Sequence, residues 1–121
     1  MEFDNSSPIW NQLLQEFSRR IVTGAWTPGE RLPGVRELAA ELGVNPNTVQ
    51  RSLAELERTG LCRTERTAGR FVTDDAGRID DERQALADGA VDDFVRRVRG
   101  LGLDRDQATH LVTTRWTGHE E

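Results

Sequence analysis

A short amphipathic segment in the first half of the chain carries side chains that can pair with the edges of DNA bases. Asn47, Gln50 and Arg51 fall away from the apolar positions Val49 and Leu53 when the segment is wound as a helix. Asparagine and glutamine can pair bidentately with adenine, and arginine with guanine, in the major groove. The residue types and their spacing therefore favour recognition of double-stranded DNA.

This segment belongs to the second of two predicted helices that are separated by a tight turn. The first is expected over about residues 34–42 and the second over about residues 46–59. Gly43 suits the left-handed residue that ends the first helix. Asn45 is a good N-cap for the second helix, and Pro46 takes the first helical position, where its missing N–H is tolerated. This pattern predicts a helix-turn-helix, with the second helix as the recognition helix.

Elements on both sides complete a small domain. An amphipathic leading helix is predicted over about residues 8–23, and Trp26 and Leu32 behind it are expected to pack inward. After the recognition helix, two extended runs at residues 61–65 and 69–73 predict a hairpin. A hairpin in this position is a wing, so the sequence predicts a winged helix-turn-helix.

The remainder of the chain predicts a tail of two helices. A hinge is expected at residues 74–77, followed by helices over about residues 80–100 and 105–117, the second opened by a capping box of Asp104 and Gln107. Neither helix is long enough to be stable alone in water, so their apolar faces need a partner surface, which a two-fold dimer supplies. The predicted dimer contacts are Leu86, Val91, Phe94, Val95, Val98, Leu111, Val112 and Trp116.

The expected fold class is mainly α with a small β wing: a winged helix-turn-helix domain over residues 1–75 and a helical dimerisation segment over residues 76–121.

The charge is divided unevenly along the chain. Residues 1–73 hold nine arginines and nine acidic residues, whereas residues 74–121 hold seven arginines and twelve acidic residues, which accounts for the net charge of −5. A neutral domain with a local basic patch can still bind phosphates.

Several other classes of protein are disfavoured. The single cysteine, Cys62, excludes an internal disulfide and a cysteine-rich zinc site, and it is expected to be a small buried hydrophobe. His110 and His119 have no companion ligand at a suitable spacing, so neither a metal nor a cofactor is predicted. We find no nucleophile–base pair or paired carboxylates, which indicates that the protein is not an enzyme. No apolar run is long enough for a bilayer and no signal peptide is evident, so a cytoplasmic location is expected.

With the leading helix, the helix-turn-helix and the wing in place, the chain resembles the GntR family of bacterial transcription regulators. The matching features cover about residues 8–73 and include PGERLP, VRELAAELGVNPNTVQRSLAELERTGL and a wing that ends GRFV. Gly34 stands where the family usually has serine, so a weaker cap is expected on the helix before the turn. The short tail resembles the YtrA-type subfamily, which lacks large effector-binding domains. The resemblance implies DNA binding as a dimer, with the tail helices forming the dimer contact.

The resemblance also implies site residues. Arg36 matches the family's DNA-contacting arginine at the start of the helix before the turn, and Gly69 matches the glycine of the wing tip. The contacting stretch of the recognition helix is matched by Asn45, Asn47, Thr48 and Gln50. From its own position on the helix, Arg51 joins the base-reading face. Arg66 and Arg70 flank the wing turn and are candidates for phosphate or minor-groove contacts.

Ion pairs within the domain are the alternative role for two of these arginines. Arg36 could pair with Glu37 or Glu41 on its own helix. For Arg51, the alternative is an i,i+4 pair with Glu55. In either case the arginine would be an ordinary solvated residue of a helix surface.

The sequence thus predicts a homodimeric transcription regulator that binds an inverted-repeat operator in double-stranded DNA. A repressor is expected rather than an activator, because occupying a promoter blocks polymerase without further machinery. One alternative is a winged-helix protein-interaction module without specific DNA binding, which the near-neutral domain and acidic tail would favour. Another is an effector-gated sensor with a ligand site at the dimer seam. The sequence does not indicate whether a small-molecule effector exists.

Overall fold

The computed structural model describes residues 1–118; His119 lies outside them. The predicted fold class is confirmed, because the described chain is mainly helical with a small antiparallel hairpin. No helix among the described residues is both long enough and apolar enough to cross a bilayer. The elements in chain order are α1 (Ile9–Val22), α2 (Val35–Leu42), α3 (Pro46–Arg58), β1 (Cys62–Glu65), β2 (Gly69–Val72), α4 (Ala76–Gly100) and α5 (Arg105–Gly118).

Helices α1, α2 and α3 enclose the core of the first compact unit, Met1–Arg83. Trp26 and Leu32 are buried as predicted, and the rings of Phe17 and Trp26 pack with their centroids 5.3 Å apart. The buried apolar side chains of this core are Leu13, Phe17, Ile21, Trp26, Leu32, Leu38, Ala39, Val49, Leu53, Leu56, Leu61, Cys62, Val72 and Ile79. The apolar stripe of α3 therefore faces the core, and its polar stripe is left to the surface.

The turn between α2 and α3 has the geometry that the sequence predicts. Gly43 adopts the left-handed conformation, with φ of 67°. The side-chain oxygen of Asn45 accepts a hydrogen bond from the Asn47 N–H at 2.8 Å, and Pro46 is the first residue of α3. At the other end of α2, the N-cap residue is Gly34, which provides no side-chain cap, as expected. Backbone chemistry at these few positions fixes where α3 begins.

The wing is tied to the segment that leads into α2. Strands β1 and β2 pair antiparallel, with Cys62 opposite Val72. The Leu32 N–H donates a hydrogen bond to the Arg70 C=O at 2.8 Å, and the Val72 N–H donates one to the Glu30 C=O at 2.9 Å. These bonds along β2 hold the wing beside the start of α2.

Helix α4 begins earlier than predicted. The sequence predicts a hinge at residues 74–77, but the helix already starts at Ala76, so the second half of that prediction is wrong. Asp75 caps the first turn, because its carboxylate accepts a hydrogen bond from the Arg78 N–H at 3.1 Å. Ile79 is buried in the core of the first unit and anchors this turn.

The second compact unit begins at Gln84, within α4, and contains α5. The domain boundary predicted after residue 75 stays a prediction. The predicted capping box at the start of α5 is confirmed. The Asp104 N–H donates to the side-chain oxygen of Gln107 at 2.9 Å, and the Gln107 N–H donates to the Asp104 carboxylate at 2.8 Å.

The buried thiol of Cys62 gives stability a defined pH dependence. Burial raises the pKa of Cys62 from its ordinary 9.0 to about 11, and the Glu57 carboxylate adds to the rise. The unfolded thiol therefore loses its proton near pH 9, while the folded one keeps it until about pH 11. We expect the free energy of unfolding, measured with urea, to fall as pH rises through this window.

The composition of the chain makes this measurement specific. The chain has neither lysine nor tyrosine, so Cys62 is the side chain expected to titrate between pH 9 and pH 11. Cys62→Ala should be less stable at pH 8 but should lose the decline above pH 9. An equal decline in wild type and variant would contradict the assignment.

Candidate nucleic-acid interface

The outer face of α3 presents the side chains that the sequence singles out. Asn47, Gln50 and Arg51 are exposed, and Thr48 is half-buried at the flank. Asn45 is also exposed, but its side-chain oxygen is already bonded in the helix cap, which leaves its amide NH2 as the group available to DNA. The face thus offers amide donors and acceptors together with one guanidinium, the groups that read base edges. Their contact with DNA stays a prediction.

Arg51 lies against an aromatic ring and forms no salt bridge among the described residues. The alternative salt bridge with Glu55 is absent: Arg58 binds Glu55, with its Nη2 2.8 Å from a Glu55 oxygen, and the hydrogen bond from Arg58 and, more weakly, the charge of Arg51 lower the pKa of Glu55. The guanidinium carbon of Arg51 instead lies 4.2 Å from the ring centroid of Trp10, on α1. The spacing pattern on α3 does not reveal this partner, since it comes from another helix.

Arg36 is exposed in the first turn of α2. It forms no salt bridge within residues 1–118, and Glu41, one of its predicted alternatives, is bound by Arg20 at 2.8 Å. The other alternative, Glu37, makes no salt bridge with it either among the described residues. A cation at a helix N-terminus opposes the helix dipole. Within residues 1–118, folding therefore gives Arg36 no salt-bridge partner.

The wing tip brings a further arginine to the surface near α2. Gly69 has φ of 111°, and a Cβ at this position would lie 3.0 Å from the Arg31 Nε. Arg31 is exposed and lines an open groove of about 710 Å3, together with Gly34 and Val35 at the start of α2 and Gly69 and Arg70 on the wing. Sequence reasoning missed Arg31. Only the β-bridge between Arg31 and Phe71 brings it to the wing, and no spacing in the sequence signals that pairing.

The two arginines predicted at the wing differ in their surroundings. Arg66 is exposed in the turn between β1 and β2. Arg70 is half-buried, and its guanidinium lies 3.5 Å from a carboxylate oxygen of Glu57 and 3.5 Å from the side-chain oxygen of Gln50. Arg70 therefore links the wing to α3 and contacts Gln50, while Arg66 is exposed to solvent.

Some arginines of the first unit form no salt bridge among the described residues. Among the arginines of Met1–Arg83, those that pair with no carboxylate of the described chain are Arg31, Arg36, Arg51 and Arg66. They stand before α2, in α2, on α3 and on the wing, where other arginines, such as Arg58 and Arg70, are paired. Unpaired cations on these elements can neutralise phosphates of a polyanion.

A second candidate surface lies in the unit that begins at Gln84. Apolar side chains are exposed here, with Trp116 showing 68% of its surface, and no residue of α5 is buried. An open cavity of about 500 Å3 is lined by Phe94, Leu111, Val112, Arg115 and Trp116. Of the predicted dimer contacts, the exposed ones are Val91, Val95, Leu111, Val112 and Trp116, and the half-buried ones are Leu86, Phe94 and Val98. Exposed apolar patches of this kind mark interaction surfaces.

Comparison with known proteins identifies the family. Residues 10–72, which include α1, the helix-turn-helix and the wing, match the family of bacterial regulatory proteins described as the gntR family. The chain is 33% identical over 104 residues to the HTH-type transcriptional repressor YtrA of Bacillus subtilis, covering 86% of this chain and 75% of YtrA. The likeness to YtrA agrees with the subfamily that the short tail indicates.

Solved structures agree with this assignment. A GntR family transcriptional regulator from Listeria monocytogenes superposes with a TM-score of 0.85 at 37% identity, covering 93% of this chain and 98% of that chain. AraR(DBD), solved in complex with operator ORR3, superposes with a TM-score of 0.54 at 26% identity, covering 60% of this chain and 88% of that chain. These relatives are transcription factors and not enzymes. The chain belongs to the GntR family of transcriptional regulators, with a DNA-binding winged helix-turn-helix domain.

Proposed function

We propose that this protein is a homodimeric repressor that binds an inverted-repeat operator. The observation that carries the proposal is that Arg31, Arg36, Arg51 and Arg66, on the helix-turn-helix, the segment before it and the wing, form no salt bridge among the described residues. Their lack of carboxylate partners within the described chain suits a surface whose partner is a polyanion.

Each part of the surface has its own role in this proposal. Asn47, Gln50 and Arg51 read base edges in the major groove, since their side chains carry the donors and acceptors that discriminate bases. Thr48 and the amide of Asn45 contribute hydrogen bonds beside them. Outside the recognition helix, the backbone and minor-groove contacts come from Arg36, Arg66, Gly69 and Arg70.

The dimer is proposed from the second unit. Val91, Val95 and Trp116 are exposed apolar side chains that a second copy would cover. A two-fold dimer presents two recognition helices about 34–36 Å apart, or a multiple of that distance, so the operator is expected to be an inverted repeat. The negative charge of residues 74–121 weakens non-specific attraction to DNA and leaves specificity to the base contacts.

Repression is the proposed sign of regulation, and the bacterial cytoplasm the proposed location. The relative YtrA is named a repressor. A dimer bound across a promoter excludes polymerase by occupancy alone, which requires no additional surface for activation.

Selection from a random duplex library at near-physiological salt tests the proposal. The purified protein should enrich one inverted repeat, because base contacts add specificity to the salt-sensitive phosphate contacts. Weak binding without a motif would contradict the proposal and favour a winged-helix module that contacts other proteins. A promoter that carries the enriched repeat should be silenced by the protein in a reporter assay, and increased expression would show activation instead.

A further inference from the structure

An aromatic residue outside the predicted interface lies directly against it. Trp10 is half-buried in the first turn of α1, and its ring centroid lies 4.2 Å from the guanidinium carbon of Arg51. Attraction between a cation and the face of an indole acts within about 6 Å. Arg51 makes no salt bridge within the described chain, so the ring is the group in direct contact with its guanidinium, and the Glu55 carboxylate acts on its charge only from a distance.

The position of Trp10 is itself fixed relative to α3. The Ser52 hydroxyl lies 2.7 Å from the Trp10 C=O, to which it can donate a hydrogen bond. Ser52 is fully buried and directly follows Arg51 in the chain. The backbone of α1 at Trp10 is therefore joined to the turn of α3 that carries the arginine.

A guanidinium above a ring keeps its hydrogen-bonding capacity. The face of the guanidinium is covered, while the N–H groups lie in its plane and point outward. These in-plane donors are the ones that pair bidentately with guanine. A long side chain held in one orientation also loses less conformational freedom when it binds.

We propose that Trp10 is a positioning residue that orients Arg51 to read one base pair in each half-site. This inference rests on the proposed operator binding and adds a determinant of its specificity. Trp10 acts through Arg51 and makes no base contact of its own. Its effect on DNA binding therefore depends on the presence of the arginine.

A double-mutant cycle on the selected operator tests the inference. Trp10→Leu should weaken operator binding by about 2- to 10-fold. The Trp10→Leu variant should discriminate less well between bases at one base pair of each half-site. This should be the same base pair at which Arg51→Ala loses base discrimination. In the Arg51→Ala background, Trp10→Leu should have almost no further effect. Trp10→Phe should retain most of the discrimination, because it keeps an aromatic face.

A matched control separates positioning from general binding. Arg19→Ala removes an exposed arginine from α1, the helix that carries Trp10, and should leave base discrimination unchanged because Arg19 is paired with Glu16. Thermal unfolding of each variant, followed by circular dichroism, verifies that the domain is folded. Equal weakening on all sequences, or a full effect of Trp10→Leu without Arg51, would overturn the inference.

The selection distinguishes failure of the inference from failure of the proposed function. If the wild-type protein enriches no motif, both fall together. If the wild type enriches an inverted repeat and Trp10→Leu enriches the same repeat with the same preference at every position, the inference alone is wrong.

NMR of the free protein adds a readout that needs no DNA. The Arg51 side-chain protons should be shifted upfield by the ring of Trp10, and ordinary shifts would overturn the stacking.

Discussion

Val112→Glu is expected to make the protein monomeric and to lower its operator affinity by about 10²–10⁴-fold. Val112 lines the open cavity of about 500 Å3 and a second apolar cavity of about 380 Å3, which Val91 and Val95 also line. It is 43% exposed, so a second copy of the chain is expected to cover it. A carboxylate buried at a two-fold interface without a partner is strongly unfavourable, and symmetry places it there twice. Monomers then bind the two half-sites independently, and the affinity gained when one dimer occupies both half-sites at once is lost.

Sedimentation velocity and operator titration measure the two effects in the same samples. Thr114→Glu is the matched control, because it adds the same charge to an exposed position of α5 about 200° around the helix from Val112. It should remain dimeric and bind with nearly wild-type affinity. A Val112→Glu protein that stays dimeric, or that binds the operator as tightly as the wild type, would remove the tail from the proposed interface.

Arg36→Ala is expected to weaken operator binding by about 10- to 150-fold, equivalent to about 1.5–3 kcal/mol for hydrogen bonds between a guanidinium and a charged phosphate. Its effect on folding should have the opposite sign. Arg36 has no salt bridge in the described part of the chain and opposes the dipole of α2, so its removal should stabilise the domain by about 0.3–1 kcal/mol. Fluorescence anisotropy gives the affinity, and urea unfolding gives the stability.

Arg19→Ala controls for the loss of one positive charge. Arg19 is exposed on α1 and paired with Glu16, outside the proposed interface, so operator affinity should change little. An Arg36→Ala protein that binds DNA normally and is less stable would show that Arg36 serves the fold. That result would favour the protein-interaction module over the regulator.

Local backbone chemistry explains why the helix-turn-helix can be predicted from sequence. Gly43, Asn45 and Pro46 each act within a few residues, through a left-handed conformation, a cap and a fixed φ. The capping box of Asp104 and Gln107 is predictable for the same reason. Where such short-range signals mark the ends of a helix, the bounds predicted from sequence lie close to those in the structure.

Long-range packing explains what sequence reasoning misses. Gly77, in a run of small and acidic residues, indicates a hinge. In the structure, Ile79 is buried in a core formed by residues far away in the sequence, and the segment from Ala76 onward is part of α4. The i,i+4 spacing predicts an ion pair between Arg51 and Glu55. In the structure, Glu55 forms its salt bridge with Arg58, and Arg51 lies against the ring of Trp10 on α1. Pairings between separate elements follow from the tertiary fold, and no spacing within one element reveals them.

Titration of the selected operator against a version with one half-site scrambled tests the dimeric recognition of an inverted repeat most directly. At near-physiological salt, the intact repeat should bind two chains per duplex, and the scrambled version should bind at least about 100-fold more weakly. Equal affinity for the two duplexes, or one chain bound per intact repeat, would contradict the proposed regulator.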